Sequence, residues 1–302
     1  MIFTVSHTTR YEYNAPVSYC QNIATLRPRE SMGQQLLDYK IRISPQPAEL
    51  SERIDFFGNF ITRFTIQTEH KQLKVTTKSR ILRDYTRYHE SFYSPACKAV
   101  TLTDALNALK RTGPEVMDAK QYILESTFIQ NLDASVKGYA DASFSGNRSV
   151  FDAAYELMQR IYTDFEFVTG FTSISTPIEE VMLEKKGVCQ DFAHIAIACL
   201  RSVGLPARYI SGYIETLAPA DGDKLVGADA SHAWFAVFIP GFGWVDFDPT
   251  NNMIPLDQHL VVGWGRDYYD VPPLKGVVYG SGKSRLKVAV DIKPENEVVE
   301  DK

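Results

Sequence analysis

Gly187-Val188-Cys189-Gln190-Asp191-Phe192-Ala193-His194-Ile195-Ala196-Ile197-Ala198-Cys199-Leu200 is the stretch that organises the rest of the chain. Gly187 breaks a preceding helical pattern, and an apolar helical stripe through Phe192, Ile195, Cys199 and Leu200 begins at once. Cys189 is therefore expected in the first turn of a largely buried helix. Unpaired N–H groups and the helix dipole favour an anion there, so a thiolate is stabilised relative to a thiol of ordinary pKa, about 8.5. A rigid, buried element is also where a nucleophile is held most accurately. The plain alternative is that Cys189 is a small buried hydrophobe, as most free cysteines are. Cys199 fits that description, lying mid-helix on the apolar stripe. About 15 Å of helix separates the two sulfurs, too far for a disulfide.

A nucleophilic thiolate needs a base and a group to orient the base. Among six histidines, His232 has the most suggestive setting, in Asp229-Ala230-Ser231-His232-Ala233-Trp234-Phe235-Ala236-Val237. It follows a Gly- and Asp-rich loop at the mouth of an apolar strand. Pro240-Gly241-Phe242-Gly243 predicts a tight turn into a second strand, which ends Trp244-Val245-Asp246-Phe247-Asp248-Pro249-Thr250-Asn251. In a hairpin of these strands, His232 lies opposite the end that carries Asp248. Asp246 shares its face, and strand parity leaves both carboxylates open.

The surrounding chain is that of an ordinary globular protein. Its 302 residues are 44% hydrophobic and 23% charged, enough for one large or two medium domains. A formal net charge of −5 argues against a chain built to neutralise phosphates, so no nucleic-acid partner is expected. Four cysteines, at 20, 97, 189 and 199, are too sparse for a disulfide scaffold and form no CxxC pair. No His/Cys/Asp cluster has metal-ligand spacing, so neither metal nor cofactor is expected. The N-terminus lacks the basic start and apolar run of a secretory signal, and no stretch reaches the roughly 18 apolar residues of a membrane helix. The expected location is the cytoplasm, with no membrane partner.

The first eighty residues read as antiparallel sheet. Tyr39-Lys40-Ile41-Arg42-Ile43, Phe60-Ile61-Thr62-Arg63-Phe64-Thr65-Ile66 and Leu73-Lys74-Val75-Thr76-Thr77 alternate, as does the N-terminal segment, and Gly58-Asn59 marks a hairpin. A small sandwich or barrel is the expected form. Helices are predicted from 101, over 114–126, over 149–162 and over 177–186, and strands return over 207–214, 233–239 and 244–247. There is no internal repeat.

Taken in order, Gly187-Val188-Cys189-Gln190-Asp191-Phe192, Ser231-His232-Ala233-Trp234, and Gly243-Trp244 followed by Asp248-Pro249-Thr250-Asn251 resemble the core of the bacterial transglutaminase-like superfamily, a group described as cysteine proteases. The resemblance implies nucleophile, base and orienting carboxylate at Cys189, His232 and Asp248, and so favours Asp248 over Asp246. Gly265-Arg266-Asp267-Tyr268-Tyr269-Asp270-Val271-Pro272-Pro273 resembles a downstream signature of the family. Leu26-Arg27-Pro28-Arg29 and Asp55-Phe56-Phe57-Gly58-Asn59 resemble its N-terminal β domain. Upstream of the cysteine, Asp164-Phe165-Glu166-Phe167-Val168-Thr169-Gly170 departs from the Tyr and Pro-Gly of relatives.

The expected architecture is α+β: an N-terminal antiparallel β domain (1–82), a helical connecting region (83–148), a papain-like, transglutaminase-like core (149–290) and a frayed tail (291–302). The expected activity is thiol-dependent acyl transfer on a protein or peptide substrate, hydrolysis before transamidation. A non-catalytic binding protein on the same fold is the rival reading. One oxyanion donor is expected from the Cys189 N–H, with Tyr155 and Gln190 as candidates for the second. His194, five positions and roughly 140° beyond Cys189, is expected to be structural. Asp191 is expected to serve the helix dipole and point away from the thiol. Arg266 and Asp267, with Tyr268 and Tyr269, are expected to pin the C-terminal segment. His7, His70, His89 and His259 have no partner motif, and Cys20 and Cys97 carry no functional argument.

Overall fold

The computed structural model describes residues 1–84, 90, 92–130, 133–146, 148–215, 230–280 and 282–295. The alternating N-terminal segments form strands β1 (Ile2–Arg27), β2 (Gln34–Ser44), β3 (Glu49–Ile54), β4 (Phe60–Ile66) and β5 (His70–Arg83). Their order is β2-β5-β1-β4-β3. β1 is 26 residues long and serves two neighbourhoods. Its first half pairs with β5, through Ile2↔Leu82 to Glu12↔Gln72, and its second half with β4, through Cys20↔Ile66 to Arg27↔Phe60. Val17, Cys20 and Leu26 from the second half meet Leu73 and Val75 from β5 in one buried cluster. The expected sandwich is thus a single continuous sheet folded over itself, with β1 as the hinge.

The C-terminal chain returns to this sheet. β12 (Leu274–Gly280) and β13 (Ser284–Glu295) both pair antiparallel with β1, from Ala24↔Leu274 to Ile2↔Glu295. This corrects the expected boundaries: 274–290 leaves the core for the N-terminal sheet, and 291–295 is strand rather than frayed tail. Residues 296–302 lie outside the described residues. The alternation Leu286, Val288, Val290, Ile292 explains the strand, since Val290 and Ile292 are buried.

Between the two passes lie the helices α1 (Pro95–Lys98), α2 (Leu102–Leu109), α3 (Pro114–Lys120), α4 (Ala134–Ser143), α5 (Val150–Asp164), α6 (Ile178–Glu184) and α7 (Cys189–Ser202). Thr101 and Asp104 form a capping box at α2, and Ser149 caps α5 through the Asp152 N–H. The 83–148 segment is more than a connection. Cys97, Ala105, Ile129, Val136 and Ala140 share one buried cluster with Leu157 of α5 and Phe192 and Leu200 of α7. α6 stops at Glu184 because Lys185 takes the left-handed conformation at φ 56, before Gly187 is reached.

A second sheet, ordered β10-β9-β8-β11, carries the other half of the core: β8 (Ala207–Ile214), β9 (Ala230–Ile239), β10 (Gly243–Phe247) and β11 (His259–Gly265). The predicted hairpin is β9–β10, in register Gly243↔Ile239 to Phe247↔Phe235. α7 lies on this sheet with Phe192 through Arg201 buried. Each fully buried Phe, Ile or Leu there contributes roughly 1.5–3 kcal/mol.

β11 would be an open edge, and the N-terminal sheet closes it with side chains. The Gln34 amide accepts from the Val261 N–H at 2.8 Å and donates to the Val261 carbonyl at 2.7 Å. The Asn59 amide does the same for Trp264, at 3.0 and 2.8 Å. Arg29 donates to Asn59 Oδ1 and stacks on the Trp264 ring, whose neighbour Arg208 lies between Trp264 and Trp244. Phe3, Val5, Val290 and Ile292 pack against Tyr213, Leu260 and Val262 beside these contacts.

Candidate active site

Cys189 is the first residue of α7, entered from β7 (Lys186–Gly187), which pairs in parallel with β6 (Glu166–Phe167). The N-cap is Val188, which has no oxygen to offer the helix. Asp191 supplies it instead: its Oδ2 accepts from the Val188 N–H at 2.8 Å and from the Thr172 hydroxyl at 2.6 Å. Burial raises the Asp191 carboxyl above its ordinary value, and these two bonds oppose the rise. A Cβ on Gly187 would lie 2.9 Å from Asp191, so the glycine is what lets the carboxylate reach back. Cys189 is partly exposed, whereas Cys20, Cys97 and Cys199 are buried. Burial pushes the Cys97 thiol up to about 11 and the Cys199 thiol to about 12.

His232 stands on β9 opposite Gly212 of β8. Its Nε2 lies 2.7 Å from Asp248 Oδ2 and 3.3 Å from Asn251 Nδ2, and it lines the same cleft as Cys189, whose thiol acts on its charge. Burial works to strip the imidazole of its charge. The hydrogen bond and charge of Asp248, with the Cys189 contact, overcome burial and raise its pKa. Asp248 is fully buried, which alone would raise its carboxyl, but the charge and hydrogen bonds of two imidazoles hold it below the usual carboxylate range.

The hairpin register explains why Asp248 rather than Asp246 meets His232. Asp246 lies opposite Ala236 and accepts from Trp234 Nε1 at 3.0 Å, two residues back along β9. Asp248, two residues further on, makes the same diagonal step to His232. Asp246 therefore serves Trp234, and burial raises its carboxyl above the ordinary value.

The residues that follow explain the Asp-Pro-Thr-Asn run. Asp248 Oδ1 accepts from the Thr250 and Asn251 N–H groups at 3.0 and 3.2 Å, and Oδ2 accepts from Asn251 Nδ2 at 2.7 Å. Sequence reasoning missed the last donor. His259, at the start of β11, places Nε2 2.9 Å from Oδ2. It was read as having no partner, because β11 is the fourth strand along the chain but sits on the far side of β8. Only the topology brings it to Asp248. Burial lowers the pKa of His259 despite that carboxylate, and its Nδ1 is buried without a partner.

Ligand atoms of His232, Asp248 and His259 lie within 4.8 Å of one another, as a metal site would require. Both Nε2 atoms, however, meet the same carboxylate oxygen at N–H···O distances, whereas a zinc ligand needs the nitrogen lone pair about 2.0–2.1 Å from the ion.

A cleft of about 250 Å³ opens at Cys189. Gln190, Tyr209, Ser231, His232 and Tyr268 line one side, and β1 and β13 supply the other. Gln190 also donates to the Ile174 carbonyl at 3.1 Å; Tyr155 is not among the lining residues. His194 accepts from the Tyr268 N–H at 3.2 Å, stacks on Phe128, and is held down to about 3 by burial and by Arg201. Asp267 accepts from the Phe128 and Tyr269 N–H groups, and Arg266 pairs with Asp270. His70 meets the Thr68 carbonyl and Cys20. His89 and residues 216–229 lie outside the described residues. A larger cavity of about 470 Å³, lined by Arg29, Arg208, Trp244 and Asp246, does not reach the thiol.

A cysteine at a helix start, facing a histidine and carboxylate on an antiparallel sheet, defines the architecture of the papain-like thiol enzymes. The chain belongs to the transglutaminase-like superfamily: residues 137–249 match that family, and residues 3–82 match its bacterial transglutaminase-like N-terminal region. An uncharacterised protein of Mycobacterium tuberculosis is 37% identical over 300 residues, covering 97% of this chain and 92% of its own. A Pseudomonas aeruginosa protein named protein-glutamine gamma-glutamyltransferase is 36% identical over 79 residues, 25% of this chain and 12% of its own. A crystal structure from Cytophaga hutchinsonii, provisionally described as a cysteine protease, shares the fold with a TM-score of 0.73 at 22% identity, covering 97% of this chain and 90% of that one.

Proposed function

We propose that the protein is a thiol-dependent acyl-transfer enzyme acting on peptide or carboxamide bonds, with water as the principal acceptor. The observation that carries this reading is His232, which lines one cleft with Cys189 and lies 2.7 Å from buried Asp248. The raised pKa of His232 keeps a proton on the imidazole beside the sulfur. Cys189 attacks the carbonyl carbon, forming a C–S bond, and the imidazolium gives its proton to the leaving amine as the C–N bond breaks. His232 then takes a proton from the acceptor, whose oxygen or nitrogen displaces the sulfur from the thioester. Asp248 fixes the ring orientation and stabilises its charged form. The Cys189 N–H, which as the first of the helix has no intrahelical acceptor, is one donor to the developing oxyanion. Gln190, in the cleft, is the better placed of the two candidates for the second.

Transamidation is the second reading, favoured by the name of the Pseudomonas aeruginosa relative. Both reactions share the first half. The test is a glutamine-containing peptide offered with and without a primary amine, followed by mass spectrometry. Exclusive hydrolysis supports the first reading, and amine-linked product supports the second. If iodoacetamide at pH 6 alkylates Cys189 no faster than an ordinary exposed thiol, and Cys189→Ala retains turnover, both readings fall.

A further inference from the structure

We propose that the N-terminal sheet is the specificity wall of the cleft, selecting an acyl donor whose side chain beside the reacting carbonyl is bulky, apolar and uncharged. The inference rests on the thiol reading above and goes beyond it to the substrate class.

The wall follows from strand periodicity. Phe3 and Val5 on β1, and Val290 and Ile292 on β13, are buried against the second sheet. Continuing the same faces outward, β1 delivers His7, Thr9 and Tyr11 and β13 delivers Val288 and Leu286 to the cleft beside Cys189. The register sets Thr9 opposite Val288 and Tyr11 opposite Leu286, so these side chains form one patch. Val288 is 47% exposed and Leu286 51% exposed, although their neighbours on the stripe are buried. The stripe outruns the surface that covers it and ends where the substrate must lie.

Charge distribution identifies the occupant. Apart from His232, no charged side chain among the described residues lines this cleft. The charges of these strands sit at the alternate positions: Glu12 pairs with Lys287 at 2.9 Å, and Arg10 lies beside them. The His7 and Thr9 polar groups of the wall are already paired. His7 meets the Tyr213 hydroxyl at 3.0 Å and the Thr9 hydroxyl at 2.9 Å, and burial lowers its imidazole to about 4, so it is neutral at pH 7. The wall offers no charged group to compensate the desolvation of a charged substrate side chain. Burial of an apolar one would be favourable.

The test uses dipeptidyl chloromethyl ketones, which alkylate a thiolate with loss of chloride and so report binding beside Cys189 without turnover. Leu, Phe, Asp or Lys is varied at the residue next to the reacting carbon and at the one before it. Labelling rates are divided by the iodoacetamide rate of the same protein. At one of the two positions Leu and Phe should label at least about tenfold faster than Asp or Lys. Leu286→Lys should reverse the order towards Asp, and Val288→Thr, which keeps shape and strand propensity, should weaken the apolar preference severalfold. A flat profile at both positions, or one unmoved by either substitution, overturns the proposal while leaving the thiol reading intact. Failure of iodoacetamide to label Cys189 overturns both.

Discussion

His259 donates through Nε2 to Asp248 at 2.9 Å, on the same oxygen that holds His232. A carboxylate can only accept, so both imidazoles present N–H to it. His259 is a positioning residue, since it touches Asp248 and not the thiol. Losing a hydrogen bond to a charged group costs about 1.5–3 kcal/mol. His259→Leu is expected to lower the acyl-transfer rate by about 10- to 100-fold and to move the acid limb of the pH–rate profile upward, as Asp248 loses a donor. Rescue by His259→Asn, which restores an N–H, separates positioning from packing. A variant with an unchanged acid limb would remove His259 from the machinery.

Asp248 and Asp246 differ by two residues and should differ sharply in effect. Asp248→Asn is expected to lower kcat by about 10³- to 10⁴-fold, the scale seen when an orienting carboxylate is neutralised. Asp246→Asn keeps an acceptor for Trp234 Nε1 and should cost less than about tenfold. Steady-state rates on one peptide substrate decide it. Equal losses at both positions would refute the assignment.

Gly187→Ala places a methyl 2.9 Å from Asp191 and pushes the carboxylate off the Val188 N–H. The loss of a helix cap costs about 0.5–2 kcal/mol. A lower urea midpoint is expected, together with slower iodoacetamide labelling of Cys189. Unaltered labelling would show that the cap does not position the thiol.

Acid should destabilise the fold before the carboxylates titrate. Burial lowers His7 to about 4 and His194 to about 3, and lowers His259 as well. The unfolded chain binds protons on all three near pH 6.5, while the folded chain does not. Stability therefore falls as pH drops from about 6.5 towards 4. His232 works with the opposite sign: its raised pKa contributes stability below about 6.5 that is lost as pH rises through the folded value. Below about 6.5 His232 is protonated in both states and adds no slope. The raised carboxyls of Asp191 and Asp246 oppose the loss only near the carboxylate range, so a net acid loss remains. Urea midpoints between pH 7.5 and 4.5 measure it, and His194→Gln, which can still accept from the Tyr268 N–H, should flatten the slope. A slope that stays as steep refutes the account.

The helix that starts at Cys189 and the hairpin that carries His232 and Asp248 were legible because their signals are local: a Gly break, an apolar stripe, a tight turn. What was hidden depended on pairings across long stretches of chain. His259 reaches Asp248 only because β11 lies beyond β8. Asn59 reads as a hairpin residue, yet its amide and that of Gln34 stand in for strand backbone along β11. The alternation from Leu286 to Ile292 runs across the expected boundary between core and tail, and no local feature tells a terminal strand which sheet it completes.

Ile2 is paired with Glu295, so the sheet started by β1 waits for a strand about 290 residues further along. During synthesis the outer side of β1 has no strand to receive it until residues 274–295 have left the ribosome. Everything between must fold as an insertion held in a half-finished frame. Such long-range closure slows folding and leaves an edge open to other chains in the meantime. It also means that the wall beside Cys189 is assembled last, after the helix and hairpin that bring the thiol, imidazole and carboxylate together. A nascent chain would then bring Cys189, His232 and Asp248 together before β13 closes the side of the cleft beside them.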